Sequence, residues 1–131
     1  TNYPQKLFGN YYALIIGNND YQYLPDLKTA INDATVLART LEENFLFKTK
    51  LIENGTRSEI IDTIYEYRKK LTMQDNLLIY YAGHGVLDEE IGKGYFQPVD
   101  AKEDSISSWI SRTIASSSAM GRTCTAGFRS R

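Results

Sequence analysis

His84 is the only histidine in the chain, and it stands between two glycines, Gly83 and Gly85. An imidazole with an ordinary pKa is the side chain best able to take up and return a proton near neutral pH. The flanking glycines allow close backbone approach to a substrate and leave the Gly85 amide able to face an oxyanion. A general base beside such a donor is what acyl transfer by a thiol or hydroxyl requires. The competing reading is a histidine that only ends a strand or satisfies a carbonyl, and Gly–His–Gly alone does not separate the two. A second polar cluster, Gly17–Asn18–Asn19–Asp20, lacks the glycine spacing of dinucleotide-binding and phosphate-binding loops.

Both clusters follow apolar runs that have the character of buried parallel strands. Tyr11–Ile16 ends at Gly17, and Asn76–Ala82 ends at Gly83. Between them, the dipeptide Pro25–Asp26 opens a predicted helix in which Ile31, Ala34, Ala38, Leu41 and Phe45 form one apolar stripe. Lys48–Glu53 reads as a shorter strand closed by the turn dipeptide Asn54–Gly55. Thr56 and Glu59 have capping-box spacing ahead of a helix carrying Ile60, Ile64, Tyr67 and Leu71. Gly94–Val99 reads as a last short strand after the acidic turn Asp88–Glu90. Alternating strands and helices imply a parallel sheet with right-handed crossovers and helices on its faces. In such sheets ligands bind beyond the carboxyl ends of the strands, where His84 and Gly17–Asp20 both fall. Tyr80 and Tyr81 alternate faces of the strand before His84, so one of them is expected near it, although sheet packing is the simpler role.

A chain of 131 residues with 42% hydrophobic and 24% charged residues has the composition of one globular domain. No apolar run approaches the roughly 20 residues that a spanning helix needs. A single cysteine, Cys124, excludes an internal disulfide framework and fits a reducing, cytoplasmic setting. The net charge of −1 gives no basis for binding nucleic acid or an anionic membrane. The charge is nevertheless uneven. Residues 111–131 hold four arginines and no acid, which leaves 11 basic against 16 acidic residues in the first 110. Ten of those last 21 residues are Ser, Thr or Gly, so the sequence divides into a folded domain over 1–110 and a basic tail over 111–131, expected to be disordered or non-native.

The string Leu77–Leu–Ile–Tyr–Tyr–Ala–Gly–His84–Gly85 closely resembles the histidine motif of caspase-like cysteine peptidases, nearest to the metacaspases and bacterial caspase homologues. Ala13–Asn18 resembles the family's first-strand motif, Leu27–Ala34 the start of its first helix, and Gly94–Asp100 the segment after the histidine loop. Together these cover residues 11–110 in the family's order and spacing.

The resemblance implies a three-layer α/β/α sandwich with a mostly parallel sheet, incomplete at its C-terminal side. It implies that His84 activates a cysteine and later protonates the leaving amine, and that the Gly85 amide serves the oxyanion hole. Asp33 falls where metacaspase-like enzymes place an acidic residue of the specificity pocket, which implies cleavage after Arg or Lys. An exposed carboxylate favoured by the helix dipole is the alternative for Asp33. The family's nucleophile follows a further buried strand in an Asp–x–Cys context, whereas Cys124 lies in the basic tail and is a doubtful nucleophile. The intact domain is expected to be an endopeptidase acting on protein or peptide substrates, with this chain inactive alone. A pseudo-peptidase that binds partners is the alternative, and a flavodoxin-like small-ligand domain a remote third. No cofactor or metal is implied; calcium activation occurs in some relatives, and the run Asp88–Glu89–Glu90 could attract a cation, although a solvated turn is the simpler reading. A sheet edge left uncovered by an incomplete domain would promote self-association.

Overall fold

A computed structural model describes residues 9–114, together with the backbone of 122–129. Strand β1 (Tyr11–Gly17), helix α1 (Ala30–Phe45), strand β2 (Lys48–Glu53), helix α2 (Arg57–Lys70) and strand β3 (Asn76–Gly83) follow one another as two crossover units. β2 and β3 both lie parallel to β1, which sits between them. Apart from exposed Tyr11, every residue of β1 is buried, as expected of a strand covered on both faces.

Alternation along β1 explains the layering. Tyr12, Leu14 and Ile16 face α2 and pack with Ile60, Ile64, Tyr67, Leu77, Ile79 and Tyr81. Ala13 and Ile15 face α1 and meet Ala34, Ala38 and Leu41. The two helices therefore cover opposite faces of the sheet, giving the expected α/β/α sandwich. The small stripe on α1 lets it approach closely: a Cβ on Gly17 would lie 2.8 Å from Ala34 Cβ and 2.9 Å from the Ala30 carbonyl.

Three features depart from the sequence reading. First, α1 begins at Ala30 instead of near Pro25, with Thr29 at its N-cap, and Phe45 at its far end is 62% exposed. The chain turns away there through a left-handed Leu46, which removes the last turn from the sheet. By contrast, the Thr56 hydroxyl does accept the Glu59 N–H that begins α2. Second, the segment after His84 forms a separate antiparallel sheet of β4 (Gly85–Asp88), β5 (Lys93–Phe96) and β6 (Ile110–Ser111), in the order β4-β5-β6. Strand β6 thus carries paired structure across residue 110. Third, Arg122–Arg129, expected to lack regular structure, forms strand β7, parallel to β3 from Asn76↔Arg122 to Gly83↔Arg129. Backbone pairing along a buried strand supports that geometry whatever the composition. It also means that β3 does not present a bare edge. No helix among the described residues is long and apolar enough to cross a membrane.

Candidate active site

The carboxyl ends of β1 and β3 lie side by side, since Gly17 pairs with Ala82. Two loops leave from there, and their polar atoms are wired together. The fully buried Asn18 donates its N–H to Ala82 O (3.0 Å), and its Oδ1 accepts the Gly55 N–H (2.8 Å). Asn54, held in the left-handed region at φ 55°, accepts the N–H groups of Asn19 and Asp20 on its Oδ1. Asn19 in turn accepts the N–H of Leu27 on its carbonyl and that of Ile31 on its side chain. The Gly17–Asp20 cluster is thus largely a brace that fixes the approach to α1.

This brace delivers Tyr21 and Pro25 to His84. The His84 backbone N–H donates to Tyr21 Oη (2.8 Å), and the two rings meet edge to face with centroids 4.6 Å apart. His84 Nε2 lies 2.7 Å from the carbonyl oxygen of Pro25. A carbonyl only accepts, so in a neutral ring Nε2 carries the proton and Nδ1 keeps its lone pair. On the other side, the His84 carbonyl accepts from Gln97 N–H (3.0 Å) and lies 2.8 Å from Tyr81 Oη.

The direction of the Gly85 amide follows from strand pairing. Gln97 N–H to His84 O makes the His84–Gln97 pair hydrogen-bonded, so the adjacent Gly85–Phe96 pair is of the other, non-bonded kind. The Gly85 N–H therefore points off the outer side of β4, which is the edge strand of its sheet. Base and backbone donor come from consecutive residues.

Asp33 sits half-buried in the first turn of α1, its N–H bonded to Thr29 O (2.9 Å). Its carboxylate is close enough to Tyr80 to be felt there: burial raises that phenol above its ordinary pKa, and the Asp33 charge raises it further. Tyr80 packs against the cluster of Tyr21, Leu27, Ala30 and Ala82. Asp33 reaches this cluster through Tyr80, and His84 reaches it through Tyr21. Cys124 is not brought to this end of the sheet. Its backbone pairs with Leu78, five strand positions before the Gly83↔Arg129 pair. At about 3.3 Å per residue this is roughly 16 Å short of the strand end.

Sequence reasoning missed Tyr21, the Pro25 carbonyl and Gln97. A backbone carbonyl leaves no signature in a sequence. Tyr21 follows the polar cluster directly, which places it at the strand ends but does not show that its hydroxyl turns back onto β3. Tyr81 is the tyrosine of its pair that reaches His84, whereas Tyr80 faces α1. Among the described residues, no three of His, Cys, Asp and Glu converge as metal ligands.

A parallel sheet sandwiched by helices, with a glycine-flanked histidine at the end of its third strand, is the arrangement of a caspase-like peptidase domain. The sequence pattern of the caspase domain matches residues 10–120, and the chain belongs to that family. It is 34% identical over 97 residues to human mucosa-associated lymphoid tissue lymphoma translocation protein 1, and equally to the mouse homologue. These alignments cover 74% of this chain but 11% of each relative, so the chain spans a small part of their length. A solved structure from Geobacter sulfurreducens superposes with a TM-score of 0.69 at 20% identity, over 90% of this chain and 49% of that one. This last likeness is one of fold.

Proposed function

We propose that this chain carries the base, the oxyanion donor and part of the specificity pocket of a cysteine endopeptidase that cleaves after arginine or lysine. The observation that carries the reading is the hydrogen bond between His84 Nε2 and Pro25 O (2.7 Å), which leaves Nδ1 as the free basic nitrogen. In the reaction, Nδ1 takes the proton of a thiol as sulfur attacks the scissile carbonyl. The Gly85 N–H accommodates the negative charge that develops on the carbonyl oxygen. The imidazolium then returns its proton to the departing amine, and Nδ1 next activates the water that hydrolyses the thioester. Asp33 supports selectivity for a cationic side chain, because a half-buried carboxylate rewards a guanidinium or ammonium partner.

The thiol in this reading is not Cys124. Its mid-strand register leaves no basis for the approach of ~3–3.5 Å that nucleophilic catalysis needs. The chain is then inactive alone, and a cysteine from another segment or another chain completes the centre. The same register favours a second reading, a pseudo-peptidase that binds basic peptides without cutting them.

Fluorogenic peptides with arginine or aspartate at the cleaved bond test the proposal on the chain and on His84→Ala. No turnover is expected from either. Adding a family segment with the Asp–x–Cys strand is expected to give arginine-selective cleavage that His84→Ala abolishes. Aspartate selectivity would overturn the pocket assignment. Turnover by the chain alone that alkylation of Cys124 blocks would overturn the account of the nucleophile. Arginine-peptide binding without cleavage in the completed protein would favour the pseudo-peptidase.

A further inference from the structure

The hydroxyls of Tyr21 and Tyr81 come from different elements, yet they meet 3.1 Å apart directly beneath Gly83 and His84. Both side chains are buried, with 8% and 1% of their surface exposed. Burying a phenol hydroxyl is costly unless it is hydrogen-bonded, and a phenylalanine would fill either space without that demand. The atoms that satisfy these two hydroxyls are therefore informative. Tyr21 Oη accepts the His84 N–H and lies 3.0 Å from Gln97 O. Tyr81 Oη lies 2.8 Å from His84 O and 2.5 Å from Gln97 O, so its single proton serves one carbonyl at a time. Every backbone partner belongs to His84 or to Gln97, the residue opposite it.

We infer that Tyr21 and Tyr81 are positioning residues with separate tasks: Tyr21 fixes the base, and Tyr81 fixes the oxyanion donor. Tyr21 holds the His84 backbone by its N–H and the imidazole by ring contact. Tyr81 acts on the His84 carbonyl, which shares one planar peptide unit with the Gly85 N–H. Because that unit is rigid, anchoring its oxygen also aims its hydrogen. Tyr81 is itself clamped, stacked on Phe96 with centroids 4.4 Å apart at 22°. Tyr21 is held through its N–H, which donates to Asp26 Oδ1 (2.8 Å).

Gly83 supplies independent support. A Cβ there would lie 2.6 Å from Tyr81 Oη and 2.7 Å from Tyr21 Oη, so the glycine before the histidine makes room for this hydroxyl pair. Burial also pushes both phenols above their ordinary pKa, which keeps their protons in place at physiological pH.

The catalytic meaning of this division rests on the peptidase reading, but its test does not require activity. Amide NMR of the chain is compared with Tyr21→Phe, Tyr81→Phe and a control, Tyr12→Phe, at a buried tyrosine of the core facing α2. Tyr21→Phe is expected to speed His84 amide exchange about tenfold, the effect of one ordinary hydrogen bond lost. Tyr81→Phe is expected to shift the Gly85 amide while leaving the His84 amide less affected. Changes no larger than those of Tyr12→Phe would overturn the inference. If a variant fails to fold, the wild-type spectrum decides: a Tyr21 hydroxyl proton with a cross-peak to the His84 amide supports it, and the absence of that cross-peak overturns it. In a completed, active protein, Tyr81→Phe is expected to lower kcat with little change in KM. Spectral changes as expected, in a protein that His84→Ala leaves active, would refute the peptidase reading and leave the backbone positioning intact.

Discussion

His84 Nε2 and the carbonyl oxygen of Pro25 are 2.7 Å apart, across a sequence separation of 59 residues. The contact turns an imidazole with two equivalent options into one with a fixed proton and a free Nδ1. It depends on the β1–α1 loop being held in place, where Tyr21 and Leu27 pack with Ala30 and Ala82. Its hydrogen bonds to Asn54 and Gly55 at the end of β2, and from Gln22 N–H to Val99 O, provide the support. The site is therefore sensitive to changes that shift this loop from a distance.

Gly17→Ala is such a change. The new methyl would meet Ala34 Cβ at 2.8 Å and the backbone of Ala30 and Ile31 at 2.9 Å, atoms that cannot rotate away. Overpacking of this kind costs about 1–3 kcal/mol. Chemical denaturation is expected to show that loss, with weaker protection of the His84 amide as α1 moves off the sheet.

Asp75 ties the start of β3 to the chain before β1. Its carboxylate accepts the N–H of Asn10 (2.9 Å), the N–H of Thr72 (2.8 Å) and the Thr72 hydroxyl (3.2 Å). Burial pushes its pKa up, but these hydrogen bonds together outweigh that and hold it below the ordinary carboxylate value. A lowered folded pKa gives stability that is present above the unfolded value and lost as pH falls through the folded one. Asp75→Asn is expected to cost about 1–3 kcal/mol at neutral pH and to flatten the acid side of the stability profile, as urea midpoints across pH would show.

The alkaline side behaves oppositely. Burial raises Tyr67, Tyr21 and Tyr81 above their ordinary 10.0, with Tyr12 and Glu66 adding to the shift at Tyr67. Raised folded pKa values leave stability intact below pH 10 and remove it as pH climbs toward those values. Tyr67→Phe takes one of these protons away, so its stability is expected to fall less steeply than wild type as pH rises above 10. Equal slopes would contradict the assignment.

Asp33→Asn separates the two roles of that carboxylate. If it faces a cationic substrate side chain, affinity for an arginine peptide falls about tenfold or more, while an uncharged peptide is unaffected. A helix-dipole role alone predicts unchanged peptide binding and a small loss of helix stability. Titration calorimetry with both peptides distinguishes these results.

The sandwich was legible because its determinants are local. Buried β1 reads as a continuous apolar run, and the Ala34–Ala38–Leu41 stripe and the Thr56 cap have the periods of helix signals. The second sheet was less legible. Strand β4 has four residues, β6 has two, and each exists only through pairing with β5. Strand β7 shows the same limit: its pairing with β3 is a long-range backbone property that Ser, Thr and Gly content conceals. At the site, His84 and Gly85 could be singled out by residue type and position, and Asp33 only through the resemblance to metacaspase-like enzymes. The Pro25 carbonyl and the hydroxyl of Tyr21 could not, since each acts through a fold in the chain.

The proton position on the His84 ring tests the central claim most directly. Long-range nitrogen–proton NMR on the labelled chain, above the pH at which the imidazole is charged, reports which nitrogen bears hydrogen. The account predicts a single neutral tautomer with the proton on Nε2 and a bare Nδ1. A ring protonated at Nδ1, or an even mixture of the two forms, would contradict it and remove the basis for His84 as the base.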